Sequence, residues 1–212
     1  AELVNFANLF TPDVIVIPHQ KIKDLRADVI AIGPGCGVNN NTRNILFSLL
    51  AGKKPLVIDA DALTLLAREK KLAAALHAGV ILTPHPGEMA KLTGQSAAEV
   101  QKDRQRIAKR TAAGLGVTLI LKGDKTVVTD PQGRVFINQT GNPGMGTAGS
   151  GDVLTGMLAG LVGQCHDGWA AAKVGVYLHG LAGDLAARAK SEPGLIASDI
   201  VDHIPDAIIR NA

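Results

Sequence analysis

A chain of 212 residues with 46% hydrophobic and 19% charged residues can bury one sizeable core, and its composition excludes disorder. Its net charge of +3, with no Lys/Arg run, leaves no footprint for a nucleic-acid partner. Aromatic residues make up only 3%, so the core must be built from Val, Ile, Leu and Ala, which suits parallel strands covered by helices.

In chain order, short β-branched runs occur at Val14–Ile17, Val29–Ile32, Leu56–Ile58, Val80–Leu82 and Val117–Leu121. Helical patterns at Thr42–Ala51, Ala62–Ala75 and Ala97–Leu115 separate most of them. This alternation predicts a mostly parallel sheet with helices on both faces. Thr126–Thr129 and Arg134–Ile137 flank Asp130-Pro131-Gln132-Gly133, which predicts an antiparallel hairpin added to that sheet. The last third reads as helix at Val153–Val162, Gly168–Lys190 and Ser198–Ile209. The expected architecture is one three-layer α/β/α domain. Cys36 and Cys165 form neither a C-x-x-C pair nor a metal-ligand spacing, which points to a reducing compartment. No signal peptide or bilayer-length apolar run is recognisable. The expected location is therefore cytoplasmic, without a membrane partner.

Ligands of open α/β sheets bind beyond the carboxyl ends of the strands, and the unusual loops of this chain fall there. Ile32 runs into Gly33-Pro34-Gly35-Cys36-Gly37, a turn whose glycines allow close backbone approach to a substrate. It lacks the G-x-G-x-x-G spacing of a dinucleotide fingerprint. Ile58 runs into Asp59-Ala60-Asp61. Either carboxylate can cap the next helix or hold Mg²⁺ through water. Leu82 runs into Thr83-Pro84-His85-Pro86-Gly87-Glu88. Glu88 suits the first turn of a helix, and His85, stiffened between two prolines, is placed to contact a polar substrate. Leu121 runs into Lys122-Gly123-Asp124-Lys125-Thr126, which offers a cation, a flexible glycine and a hydroxyl to a nucleotide phosphate or ribose.

The segment Asn142-Pro143-Gly144-Met145-Gly146-Thr147-Ala148-Gly149-Ser150-Gly151-Asp152 leads straight into an apolar helix. Glycines before a helix N-terminus leave N–H donors and a partial positive charge facing the loop, the elements of a phosphate cradle. Asp152 beside that cradle can take a proton from a hydroxyl under phosphorylation, or serve only as a cap. His179 and Tyr177 lie in an Ala/Gly-rich helix and read as packing residues. Gly175, Gly180 and Gly183 read as sites of close helix packing.

In order, I-G-P-G-C-G, V-I-D-A-D-A-L, L-T-P-H-P-G-E, L-K-G-x-x-T and G-N-P-G-M-G-T-A-G-S-G-D-V-L-T-G resemble the ADP-dependent NAD(P)H-hydrate dehydratases of the ribokinase-like superfamily. The resemblance runs over roughly residues 27–205. It implies a ribokinase-like fold and a repair reaction. The ring hydroxyl of NAD(P)H hydrate attacks the terminal phosphate of ADP, phosphate is then eliminated, and NAD(P)H and AMP are released. Carried over by position, Asp152 is the implied base, and Gly35, Gly37, His85 and Asp152 contact the hydrate. Lys122, Gly123, Asp124, Lys125 and Thr126, with Asn142, Gly149, Ser150 and Gly151, hold the nucleotide. The family also implies Mg²⁺ with the phosphates and a homo-oligomer, commonly a tetramer. No residues match the opening strand, Gly-rich turn and Ala-rich helix of the family domain, so the resemblance implies a single domain shortened at its start, across residues 1–212. Two other readings share the G-x-G-D end: a ribokinase-like small-molecule kinase, and a shortened nucleotide-binding protein without catalysis.

Overall fold

The computed structural model describes residues 26–211; the expected strand at Val14–Ile17 lies outside them. Six strands form one sheet in the order β1 to β6: Ile30–Ile32, Leu56–Ile58, Val80–Leu82, Thr118–Leu121, Val127–Thr129 and Val135–Ile137. The first four are parallel neighbours, so Ile32, Ile58, Leu82 and Leu121 all end at one edge. β5 and β6 add the antiparallel hairpin. All six strands meet their expected positions to within a residue.

Alternation along each strand sorts side chains between two layers. Leu56, Ile58, Val80 and Leu82 point to a cluster with Leu46, Leu63 and Leu72. These three lie on α1 (Asn40–Ala51), α2 (Ala60–Arg68) and α3 (Lys70–Ala74). Leu119 and Leu121 share a cluster with Met89, Val100 and Ile107, from α4 (Pro86–Thr93), α5 (Ala97–Lys102) and α6 (Arg104–Leu115). Val57, Ile81, Ile120 and Val128 face the other way, against Leu154, Leu158 and Ala172. Those belong to α7 (Ser150–Cys165) and α8 (Gly168–Lys190). The short α9 (Ala197–Asp202) and α10 (Ile204–Ile209) close the end of that layer through Ile200 and Ala207.

Three of the expected helices are broken, each for a local reason. Asp103 leaves helical geometry to cap α6, its side chain accepting from the Arg106 N–H, and so divides the run Ala97–Leu115. Glu69 adopts an extended conformation between α2 and α3. Pro205 sits in the first turn of α10, where its missing N–H costs nothing, and His203 separates that helix from α9.

Candidate functional site

The parallel strand ends are bound to one another by hydrogen bonds beyond the strands. Asp59 N–H donates to the Ile32 carbonyl (3.1 Å), Thr83 N–H to that of Ile58 (3.2 Å), and Lys122 N–H to that of Pro84 (2.9 Å). Gly33 is essential to this join. Its φ is +134°, and a Cβ there would lie 1.8 Å from the Asp59 carbonyl oxygen. The Gly37 N–H donates to Asp61 Oδ2 at 2.8 Å, which fixes the first Gly-rich loop to the second. The backbones of Gly35 and Gly37 both have positive φ. Cys36 is exposed and unpaired in a disulfide.

Asp59 stands at the N-cap of α2, and its side chain makes no capping hydrogen bond. Asp59 is 1% exposed. Its Oδ1 lies 2.7 Å from Lys122 Nζ, and its Oδ2 accepts from Thr155 Oγ1 at 2.8 Å. Asp61 is engaged by Gly37. Among the described residues no three His, Cys, Asp or Glu side chains gather into a metal-binding group. A magnesium ion at this strand end would meet one or two carboxylates, the donor set of an ion held largely by water and phosphate oxygens.

Lys122 brings the end of the last parallel strand against the start of α7. Its ammonium sits beneath the first turn of α7, where a Cβ on Gly151 would approach Nζ to 3.2 Å. Asp59 offsets the repulsion between that cation and the positive helix end. The rest of the loop stands open: Gly123, Asp124 and Lys125 are exposed, and Thr126 Oγ1 donates back to the Gly123 carbonyl at 3.0 Å. Arg104 braces it from α6, donating through Nη2 to the carbonyls of Leu121 (3.0 Å) and Lys122 (3.2 Å). Burial lowers the Arg104 pKa, and Asp124 opposes that shift.

His85 takes the role expected of Glu88 and shares it. Its Nδ1 accepts from the Gly87 N–H at 3.0 Å, and Glu88 Oε2 accepts from the His85 N–H at 2.8 Å, a reciprocal capping box. With Nδ1 accepting, the ring proton of neutral His85 sits on Nε2. The side chain is 56% exposed, with Nε2 3.6 Å from Glu88 Oε1.

The start of α7 differs from the other long helices. Asn39, Asp103 and Asp167 cap α1, α6 and α8 with a side-chain oxygen. The N-cap of α7 is Gly149, with φ +86° and no side chain to offer. The N–H groups of Gly151 and Asp152 therefore meet no capping side chain, while that of Ser150 donates to the Thr147 carbonyl at 3.4 Å. Asp152 lies within this first turn and is exposed; it is not the N-cap. Ser150 is buried, and its carbonyl accepts from His179 Nε2 at 2.9 Å. Burial pushes the His179 pKa down to about 4, the Ser150 carbonyl resists that shift, and Lys122 adds to it. His179 is thus neutral near pH 7, with its proton on Nε2.

The Asn142 amide is engaged at both its oxygen and its nitrogen. Its Oδ1 accepts from the Gly144 N–H (3.0 Å), and its Nδ2 donates to Asp184 Oδ1 (3.0 Å). Asn142 caps the 3₁₀ turn Pro143–Gly146. Thr155, Arg104 and Asp184 were not anticipated as site residues. Two of them leave a faint trace in sequence: Thr155 follows Gly151 by one helical turn, facing the same way, and Asp184 is the one acidic residue in the small-residue run 174–187.

A family model described as NAD(P)H-hydrate dehydratase matches residues 2–206. The bifunctional NAD(P)H-hydrate repair enzyme of Moorella thermoacetica is 49% identical over 87% of this chain. The chain spans 35% of that protein's length. Among solved structures, the ADP/ATP-dependent NAD(P)H-hydrate dehydratase of Bacillus subtilis, co-crystallised with ATP/Mg²⁺ and soaked with CoA, superposes with a TM-score of 0.77 and 35% identity. That match covers 86% of this chain and 66% of the other. A ribokinase-like superfamily protein of Enterococcus faecalis superposes with a TM-score of 0.74 and 33% identity, over 88% and 64% of the two chains. The three-layer, ribokinase-like reading of the fold holds.

Proposed function

This chain belongs to the NAD(P)H-hydrate dehydratase family, and on that premise we propose that it dehydrates NAD(P)H hydrate at the expense of ADP. The observation that carries the reading is the glycine-capped start of α7, with its uncapped N–H groups, the Lys122 ammonium beneath Gly151 and the exposed Asp152 carboxylate. A helix terminus and a lysine together attract a diphosphate.

In this reading Lys122, Gly123, Asp124, Lys125 and Thr126 receive the nucleotide, and Gly149, Ser150 and Gly151 receive its terminal phosphate. Only one of the three Lys122 N–H donors is matched by a side chain among the described residues, which leaves donors for phosphate oxygens. Asp152 takes the proton of the ring hydroxyl as that oxygen bonds to phosphorus and AMP departs. The N–H groups of Gly151 and Asp152 stabilise charge on the transferred phosphoryl group. The nitrogen lone pair of the ring then expels phosphate from C6, and loss of a proton from C5 of the resulting iminium to the departing phosphate or to water restores the dihydropyridine double bond. Gly35, Gly37 and the Nε2–H of His85 line the side from which the hydrate approaches. Mg²⁺ accompanying the diphosphate would screen its charge during the transfer.

The test is recovery of NADH absorbance from NADH hydrate with ADP, with Asp152→Asn as the paired variant. Recovery that requires ADP and falls at least a hundredfold in the variant supports the reading. A stable phosphorylated product would point to a kinase, and ADP binding without turnover to a non-catalytic protein.

A further inference from the structure

The loop before α7 closes on itself through Asn142 and Gly144, whose oxygens accept from the Gly144 and Thr147 N–H groups, and one face of α8 seats it. That face repeats at helical spacing, 176/177, 179/180 and 183/184. At its first step, Asn138 Nδ2 donates to the Val176 carbonyl (3.1 Å) and Thr140 Oγ1 to that of Tyr177 (2.8 Å). At the second, a Cβ on Gly180 would fall 2.2 Å from Thr140 Oγ1. At the third, a Cβ on Gly183 would fall 2.3 Å from Met145 Sδ. The loop therefore lies directly on the helix backbone, and the small-residue positions serve loop seating as well as helix packing.

Two polar side chains on this face reach the two ends of the cradle. Asp184 accepts twice at its entrance, from the Gly141 N–H (2.9 Å) and from Asn142 Nδ2 (3.0 Å). His179 donates at its exit, to the carbonyl of Ser150, the first residue of α7. Neither points at the space above Gly151. Their geometry instead sets the separation between the Asn142 turn and the α7 terminus.

We propose that Asp184 and His179 are positioning residues for phosphoryl transfer, Asp184 by seating the Gly141–Asn142 turn over the nucleotide and His179 by aiming the first turn of α7 at its terminal phosphate. The inference rests on the ADP-dependent reading of this same cradle. It assigns different kinetic effects to the two residues. Asp184 shapes ground-state nucleotide binding, so its loss raises KM for ADP. His179 orients the donors and base that act in the transition state, so its loss lowers kcat.

The experiment compares Asp184→Ala, Asp184→Asn, the exchange pair Asp184→Asn with Asn142→Asp, His179→Leu and His179→Gln, each measured for ADP affinity by calorimetry, kcat, KM for ADP and thermal midpoint. Asp184→Ala is expected to raise KM and Kd for ADP at least tenfold with kcat within threefold. The exchange pair rebuilds both hydrogen bonds with the partners reversed, since the amide placed at position 184 can accept from the Gly141 N–H and donate to the carboxylate placed at position 142. It is expected to recover most of the affinity lost in Asp184→Asn. His179→Leu is expected to lower kcat at least tenfold, and His179→Gln, whose amide nitrogen reaches the Nε2 position, to restore it. If Asp184→Ala does not fold, the exchange pair and the two His179 variants decide. Variants that shift the thermal midpoint alone, or an exchange pair with no recovery, overturn the proposal. A parent protein that neither binds ADP nor turns over overturns the functional reading itself, a result separable from the first because it appears without any substitution.

Discussion

Lys122→Met and Asp59→Asn remove opposite halves of one buried ion pair, and the structure makes their costs unequal. Asp59 is 1% exposed, whereas the Lys122 side chain is 19% exposed. Without Lys122, the carboxylate stays buried with only the Thr155 hydroxyl at 2.8 Å to solvate it. Stripping one partner from such a pair costs about 3–5 kcal/mol, and the retained hydroxyl places this case near the lower end, at about 3 kcal/mol. Without the Asp59 charge, Lys122 still reaches water, and the Asn oxygen remains an acceptor for it. That loss resembles one charge-assisted hydrogen bond, about 1–2 kcal/mol. The double variant leaves no buried charge, so it should be more stable than the sum of the single losses predicts, by about 1–2 kcal/mol. Urea unfolding with a common slope measures all three differences. Equal losses in the single variants, or additivity within about 0.5 kcal/mol, would refute the claim that Asp59 depends on Lys122 for its burial. The same Lys122→Met protein should bind ADP about ten- to a hundredfold more weakly, having lost a charged donor at the phosphates.

Other consequences follow from the same geometry. His179 falls from an ordinary 6.5 to about 4 in the fold, so the unfolded chain binds more protons between those values. Stability should decline as pH drops from about 6.5 to 4, by about 3 kcal/mol in all, and this contribution should be missing from the pH profile of His179→Gln; identical pH profiles would contradict the buried neutral ring. Gly33→Ala should cost more than about 3 kcal/mol or prevent folding, read by thermal unfolding, because neither its φ nor the Asp59 carbonyl leaves room for a methyl group. Gly151→Ala should leave stability equal or raised by up to about 1 kcal/mol through helix propensity, yet weaken ADP binding severalfold, because the new methyl sits over Lys122; unchanged affinity in calorimetry would move the phosphate elsewhere. Asp152→Asn should retain ADP binding while kcat falls about 10²-fold or more.

How far the sequence reached depends on the range of the interaction that settles each feature. Strands β1 to β6 were legible because β-branched runs bounded by Gly, Pro and Asp carry their own period and punctuation. Their convergence at one edge followed from parallel order alone. Helix breaks at Glu69 and Asp103 were missed because apolar spacing continues through them, and a single residue's φ and ψ decides the matter. The expected site residues come together at that edge as a set of loops, but their individual roles did not all follow. Asp59 looked like a cap because strand-end aspartates cap helices locally. Its actual partners, Lys122 and Thr155, lie 63 and 96 residues away, a pairing no local pattern encodes. Asn142 was expected only as a nucleotide contact, and its bond to Asp184, 42 residues on, had no local signal. His179 read correctly as packed, yet its bond to Ser150 makes the packing part of the cradle. The loops that would touch a ligand announce themselves by glycine and proline, since close approach demands unusual backbone. The side chains that hold those loops are ordinary residues on ordinary helices, and only the fold distinguishes them from the core.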